Sequence, residues 1–144
     1  MAFSRQKFRE VVLQLLFSKS FIEGNFDEEI FPFMMSKVYL TKKNIKKAKE
    51  KVDDIWKNLS FLDEKIQKVS TSYKLERICK LDLAILRLGV FELFFEKKIH
   101  PKVVLAEAIR LCRKFASREG ANFINAILDG IYQQEKNSIE KNKF

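Results

Sequence analysis

The chain has 144 residues, is 47% hydrophobic, and carries 28 Lys and Arg against 19 Asp and Glu, a formal charge of +9. That is one domain's length with enough apolar content for a core, while four Gly and two Pro are too few turn residues for a strand-dense fold. The positive balance favours a polyanionic partner, nucleic acid ahead of an anionic membrane surface.

No apolar run reaches the length of a membrane span, and the polar start Ser4-Arg5-Gln6-Lys7 is unlike a secretory leader. Cys79 and Cys112 lie far apart with no C-x-x-C and no flanking His. That pattern indicates neither a zinc site nor a disulfide framework, and reduced, buried thiols fit a cytoplasmic protein.

Residues 4–22 place Phe8, Val11, Val12, Leu15, Leu16 and Ile22 on one helical face, with Ser4 as the N-cap. Gly24-Asn25 ends this helix, and Asp27 caps a second segment running through Ile30, Phe31, Phe33, Met34 and Val38 with Pro32 in its first turn. Thr41 precedes a third pattern through Ile45, Ala48, Val52, Ile55, Trp56 and Leu59. Ser60 offers a break before a run from about Asp63 to Tyr73.

The stretch LDLAILRLGVFELFF at 81–95 is apolar almost all round, which predicts a central helix packed by neighbours on most sides. His100-Pro101 opens the next helix, with Val104, Ala108, Leu111 and Phe115 inward, and Ser117 or its neighbours end it. A last helix carries Ile124, Ile127, Leu128 and Ile131. The polar tail KNSIEKNKF is expected to be frayed or disordered.

The reading is therefore an all-α fold of about seven helices. Residues 1–135 form one domain, with an N-terminal helical subdomain over about 1–74, a C-terminal one over about 75–135, and a polar basic tail at 136–144.

Catalysis has little support: there is one His, no Gly-rich phosphate loop, and no spacing of carboxylates or thiols that assembles an acid, base or nucleophile. His100, directly before Pro101, reads as part of a helix start. Arg5, Lys7 and Arg9, beside Gln6 and Gln14, offer charge and amide donors to phosphates and base edges; the plain alternative is a solvated helix end.

At about 100° per residue, Phe17 projects away from the Phe8/Val12/Leu15 face, where it either packs on another helix or offers a stacking platform for an unpaired base. Phe123 lies at the margin of the last helix's apolar stripe. Six lysines, Lys42, Lys43, Lys46, Lys47, Lys49 and Lys51, crowd the start of the third helix around Glu50. They form either a solvated face or a source of long-range attraction for RNA. Trp56, at core spacing with Val52 and Leu59, reads as packing.

LDLAILRLGVFELFF, HPKVVLAEAIRLCRKFAS and NFINAILDGI, in that order and with short connecting turns, resemble the C-terminal signature of the NusB family. The opening SRQKFREVVLQLLF resembles the family's first helix, with its basic start and Leu-Gln-x-Leu-aromatic step. About half of the chain carries the resemblance, and residues from about Glu23 to Lys74 match only in helical pattern and length.

The resemblance implies two packed helical subdomains and a part in processive transcription antitermination. It implies binding to the boxA element of ribosomal RNA leaders together with the ribosomal protein NusE, in a complex with NusA, NusG and RNA polymerase, and it implies no cofactor. Carried over by position, Arg5, Gln6, Lys7, Arg9 and Phe17 fall where the family's RNA surface begins, with Gln14 beside them. Glu119 and Phe123 fall on its second part, and Glu76, Asp82 and Arg87 match polar positions around the NusE surface.

The chain departs from the family pattern in three places. Its basic start is poorer in Arg, Phe17 stands where Tyr is common, and SREGANF replaces a more acidic, His-containing turn. A Phe keeps the stacking face but lacks the hydroxyl, so base selectivity at Phe17 is expected to be weaker.

Three rivals stand beside this reading. NusB-like domains also precede methyltransferase domains in rRNA-modifying proteins, and none follows here. A helical protein-binding scaffold or homodimer would use the positive charge for solubility alone. A DNA-binding helix-turn-helix would need a basic recognition helix that the chain lacks.

Overall fold

The structure, a computed structural model, describes residues 4–20, 42–72, 74–141 and 143. The expected second helix over Asp27–Val38, its Gly24-Asn25 boundary, the Thr41 cap and Tyr73 lie outside the described residues. Within them the chain is helical throughout, with no strand. Its helices are α1 (Arg5–Lys19), α2 (Lys42–Lys57), α3 (Leu59–Val69), a 3-10 turn (Leu75–Arg77), α4 (Lys80–Phe95), α5 (Pro101–Phe115), α6 (Arg118–Gln134) and α7 (Lys136–Lys141).

The chain divides into two compact units, Met1–Lys57 and Asn58–Phe144. In the first, α1 packs on α2. Ser4 caps α1 by accepting the Lys7 amide at 3.1 Å, as the sequence predicts. Val11, Val12, Leu13, Leu15 and Leu16 are all buried, so α1 is covered over more of its circumference than one apolar stripe. On α2 the stripe Ile45, Ala48, Val52 and Ile55 is buried to 1% exposure or less, at the spacing of one helical face.

In the second unit α4 packs against α3, α5 and α6. From Ala84 to Leu93 it buries every residue except Arg87, as an almost wholly apolar segment must. Gly89 sits where α6 comes closest: a Cβ there would stand 2.9 Å from a methyl of Leu128, itself fully buried. Arg87, partly exposed, bonds both Asp63 carboxylate oxygens at 2.9 Å and ties α4 to α3. Such a fork-to-fork pair fixes geometry as well as charge.

The break expected at Ser60 falls earlier, at Asn58, whose φ of −107° and ψ of 15° leave the helical region. Asn tolerates such turn conformations, whereas Ser60 stays exposed inside the first turn of α3. The other end of α3 is closed by Gln67, which donates to the Ser70 carbonyl at 2.9 Å and accepts the Leu75 amide at 3.1 Å. The boundary between compact units lies after Lys57 and not near residue 74, because α3 packs on α4 and α6.

His100 starts α5 as expected: its Nδ1 accepts the Lys102 amide at 3.1 Å, with Pro101 in the first turn. Ser117 starts α6, accepting the Gly120 amide at 3.0 Å.

The tail differs from expectation. Lys136–Lys141 form α7, Ile139 is fully buried, and Lys143 is only 7% exposed. The Lys143 ammonium donates to the Glu92 and Glu96 carbonyls at 2.8 and 2.6 Å, at the C-terminal end of α4. The Glu92 carbonyl also accepts the Glu96 amide at 3.3 Å and the Glu96 carbonyl the Ile99 amide at 3.4 Å; both lie at the negative end of the helix dipole, so a cation is well placed there. Burial pushes the Lys143 pKa down, against the opposing pull of the Glu92 and Glu96 charges. Composition marks the segment as polar; one buried Ile and one capping Lys order it.

Candidate nucleic-acid interface

In the first unit the start of α1 presents Arg5, Gln6 and Lys7 exposed, with Gln14 exposed further along the helix. Its first turn holds no acidic residue, so two cations stand at the positive end of the helix dipole, an arrangement that an anionic ligand relieves. Gln6 already has a partner within the chain. Arg9 differs from its neighbours. It is 6% exposed, is buried beside Glu10, and has a partner, so the accessible basic start is narrower than the sequence suggests. Phe17 is half-buried and engaged with other groups.

The six α2 lysines also separate. Lys42, Lys43, Lys46 and Lys47 are exposed. Lys51 is half-buried with its ammonium 5.9 Å from the Phe8 ring centre, and Lys49 has a partner. Trp56 is half-buried with the Lys19 ammonium 5.5 Å from its ring; Lys19 also stands 3.6 Å from Asp53. This supports the packing role read from its spacing.

In the second unit a pocket of about 360 Å³ is lined by Arg77, Ile78, Cys79, Asp82, Glu119, Gly120 and Phe123. It brings together Glu119 and Phe123 from the start of α6 and Asp82 from the start of α4. Glu119 is exposed and Phe123 half-buried. Burial raises the Asp82 pKa, offset in part by the Cys112 thiol. That thiol is buried, donates to the Ser117 carbonyl at 3.3 Å, and lies 3.9 Å from Asp82. Its own pKa is raised chiefly by burial.

Gly120 makes room at this junction. A Cβ there would sit 3.1 Å from the Cys112 sulfur and 3.2 Å from an Asp82 oxygen, tighter than ordinary van der Waals contact.

Glu76 is exposed on the 3-10 turn beside this pocket's Arg77. Arg87 does not join the pocket lining and is committed to Asp63. Arg77 and Gly120 were not singled out from the sequence, and Cys79, read there only as a reduced, buried thiol, is exposed. The sequence signal at Arg77 is a charge next to Glu76 in the turn before α4.

The pocket's chemistry follows from its donors and acceptors. Asp82 and Glu119 repel phosphate but accept hydrogen bonds from amines and N–H groups, and Phe123 offers an aromatic face. The arrangement suits the edge of an unpaired base or a donor-bearing side chain. The cationic start of α1 is the better charge complement for a phosphate. Among the described residues no cluster of His, Cys, Asp and Glu could hold a metal ion, and no helix is long and apolar enough to cross a membrane.

Among the described residues, an all-helical fold with a cationic helix start and an aromatic, acceptor-lined pocket fits a nucleic-acid-binding class of protein, with no catalytic group assembled there. The family model described as the NusB family matches residues 6–133. The chain belongs to the NusB family, whose members are non-catalytic transcription antitermination factors.

It is 34% identical to the transcription antitermination protein NusB of Fervidobacterium nodosum over 146 residues, covering 100% of this chain and 99% of the relative. It is 33% identical to the corresponding protein of Desulfovibrio desulfuricans, covering 93% and 87% respectively. Of solved structures, T. maritima NusB superposes with a TM-score of 0.78 at 29% identity, covering 93% of this chain and 94% of that one.

Proposed function

We propose that this antitermination factor binds boxA-type single-stranded RNA of ribosomal RNA leaders together with NusE, and so supports processive rRNA transcription. One observation carries the RNA and NusE part of the reading. A solved complex of the antitermination factors NusB and NusE with double-stranded RNA matches 90% of this chain and 96% of its own, with a TM-score of 0.77 at 26% identity.

In this account Arg5 and Lys7 contact phosphates, and Gln6 and Gln14 supply amides. Phe17 and Phe123 meet bases, with Glu119 accepting from base amines. Arg9, buried within the chain, supports the start of α1 or is released on binding. Glu76 and Asp82 form part of the NusE surface, and Arg87 shapes it through Asp63. NusA, NusG and RNA polymerase complete the assembly, and the reduced thiols support a cytoplasmic setting.

NusE should raise RNA affinity by adding a second surface at high effective concentration. Titrating RNA against the chain with and without NusE tests this. The expected result is at least a tenfold gain with NusE. Co-purification with NusE but negligible, salt-insensitive RNA binding would instead identify a helical scaffold.

A further inference from the structure

We infer that the exposed lysine face of α2 is a phosphate rail that holds RNA flanking the boxA-type element, whatever the flank's sequence. The inference rests on the RNA-binding reading above and adds a surface to it.

The four exposed lysines, Lys42, Lys43, Lys46 and Lys47, occupy the first two turns of α2. No acidic residue stands in the first turn, so these cations oppose the helix dipole. Lys42 and Lys46, and Lys43 and Lys47, are also like-charge neighbours one turn apart, which destabilises a free helix. Among the described residues none of the four has an ion-pair partner, and Glu50, exposed one turn further on, forms none with them. A local conflict of this kind, left uncompensated among the described residues, marks a face whose partner is an anion.

The packing of α1 on α2 places this face. Phe8 meets Lys51, and eleven residues later Lys19 meets Trp56 and Asp53. The start of α1 therefore meets α2 one turn beyond Lys47, in the same compact unit as the lysine face.

The partner is RNA and not a membrane surface, because the apolar residues of α2 are buried and leave nothing to insert between lipids. Lysines are point charges on flexible stems and lack the fork that reads base edges, so the contact is insensitive to sequence.

The test uses the full chain and three RNAs. One ends at the boxA-type element, one carries about ten unstructured nucleotides on either side, a length chosen to span a site of ordinary single-strand size, and one is the longer RNA with its element scrambled. Replacing all four lysines with Gln should leave the short RNA within about twofold. It should weaken both long RNAs at least tenfold and reduce the salt slope on them by about 2 to 3, at ~0.7 per phosphate contact.

The matching Lys→Arg variant should retain binding, and an unchanged helical spectrum shows that the Gln variant is folded. Equal affinity and slope for parent and Gln variant on every RNA would overturn the proposal. So would an equal loss on short and long RNA. Failure of the boxA reading shows separately, as parent protein that does not distinguish the long RNA from its scrambled form, and the slope on the long RNAs still decides the rail.

Discussion

Replacing Phe123 with Ala is expected to weaken binding of boxA-type RNA about 5- to 100-fold, as the loss of ~1–3 kcal/mol of base stacking requires, while a scrambled RNA loses far less. The difference follows from where the side chain stands. Phe123 is half-buried and shares its pocket with Glu119, so a base laid on the ring has its edge near an acceptor. In the proposed reading phosphates are held by cations at the start of α1, and such contacts do not distinguish sequences.

Phe123→Tyr keeps the ring and should keep most of the affinity. Anisotropy titrations of both RNAs against parent, Ala and Tyr proteins check this, with unfolding midpoints recorded because the ring also covers apolar surface. Equal losses on the two RNAs would remove Phe123 from base readout.

A chain ending at Glu135 is expected to lose about 3–5 kcal/mol of stability. Burying an Ile contributes ~1.5–3 kcal/mol, and a hydrogen bond from a charged group contributes ~1.5–3 kcal/mol. The truncation removes the fully buried Ile139 and the Lys143 ammonium that caps α4, together with the Tyr132–Glu140 hydrogen bond. At ~2–4 °C per kcal/mol for a chain of this size, the thermal midpoint should fall by about 6–20 °C. Lys143→Met alone should cost less, because Ile139 remains in place. A midpoint within about 2 °C of the parent, on the same scale, would return the tail to the frayed segment its composition suggests.

That tail shows where sequence reasoning runs out. Helix existence was legible wherever apolar residues recur at 3- and 4-residue spacing: the α2 stripe, the wholly apolar α4, and the starts marked by Ser4 and His100-Pro101 all appear as expected. The tail holds a single Ile among polar residues, too little for periodicity. Its order comes from contacts with α4 about fifty positions away, which no local pattern encodes.

The same limit governs the site. The exposed start of α1 could be read from its charges, but the burial of Arg9 could not, since a lone Arg on a helix is ordinarily solvated. Arg87 is another case. Its partner Asp63 lies 24 positions earlier, and only tertiary packing reveals that its charge is already matched. Asp82, Glu119 and Phe123 were each named from the sequence, under two separate roles. Their convergence in one pocket with Arg77 depends on how α4 meets α6.

The central claim is that this chain by itself prefers a boxA-type sequence. The measurement that tests it most directly is fluorescence anisotropy of a labelled boxA-type RNA against a scrambled RNA of equal length and charge, across a salt series. The account predicts tighter binding of the boxA-type RNA at every salt concentration. It also predicts parallel salt slopes for the two RNAs, because the same cations serve both. Equal affinity for the two RNAs throughout the series would contradict it.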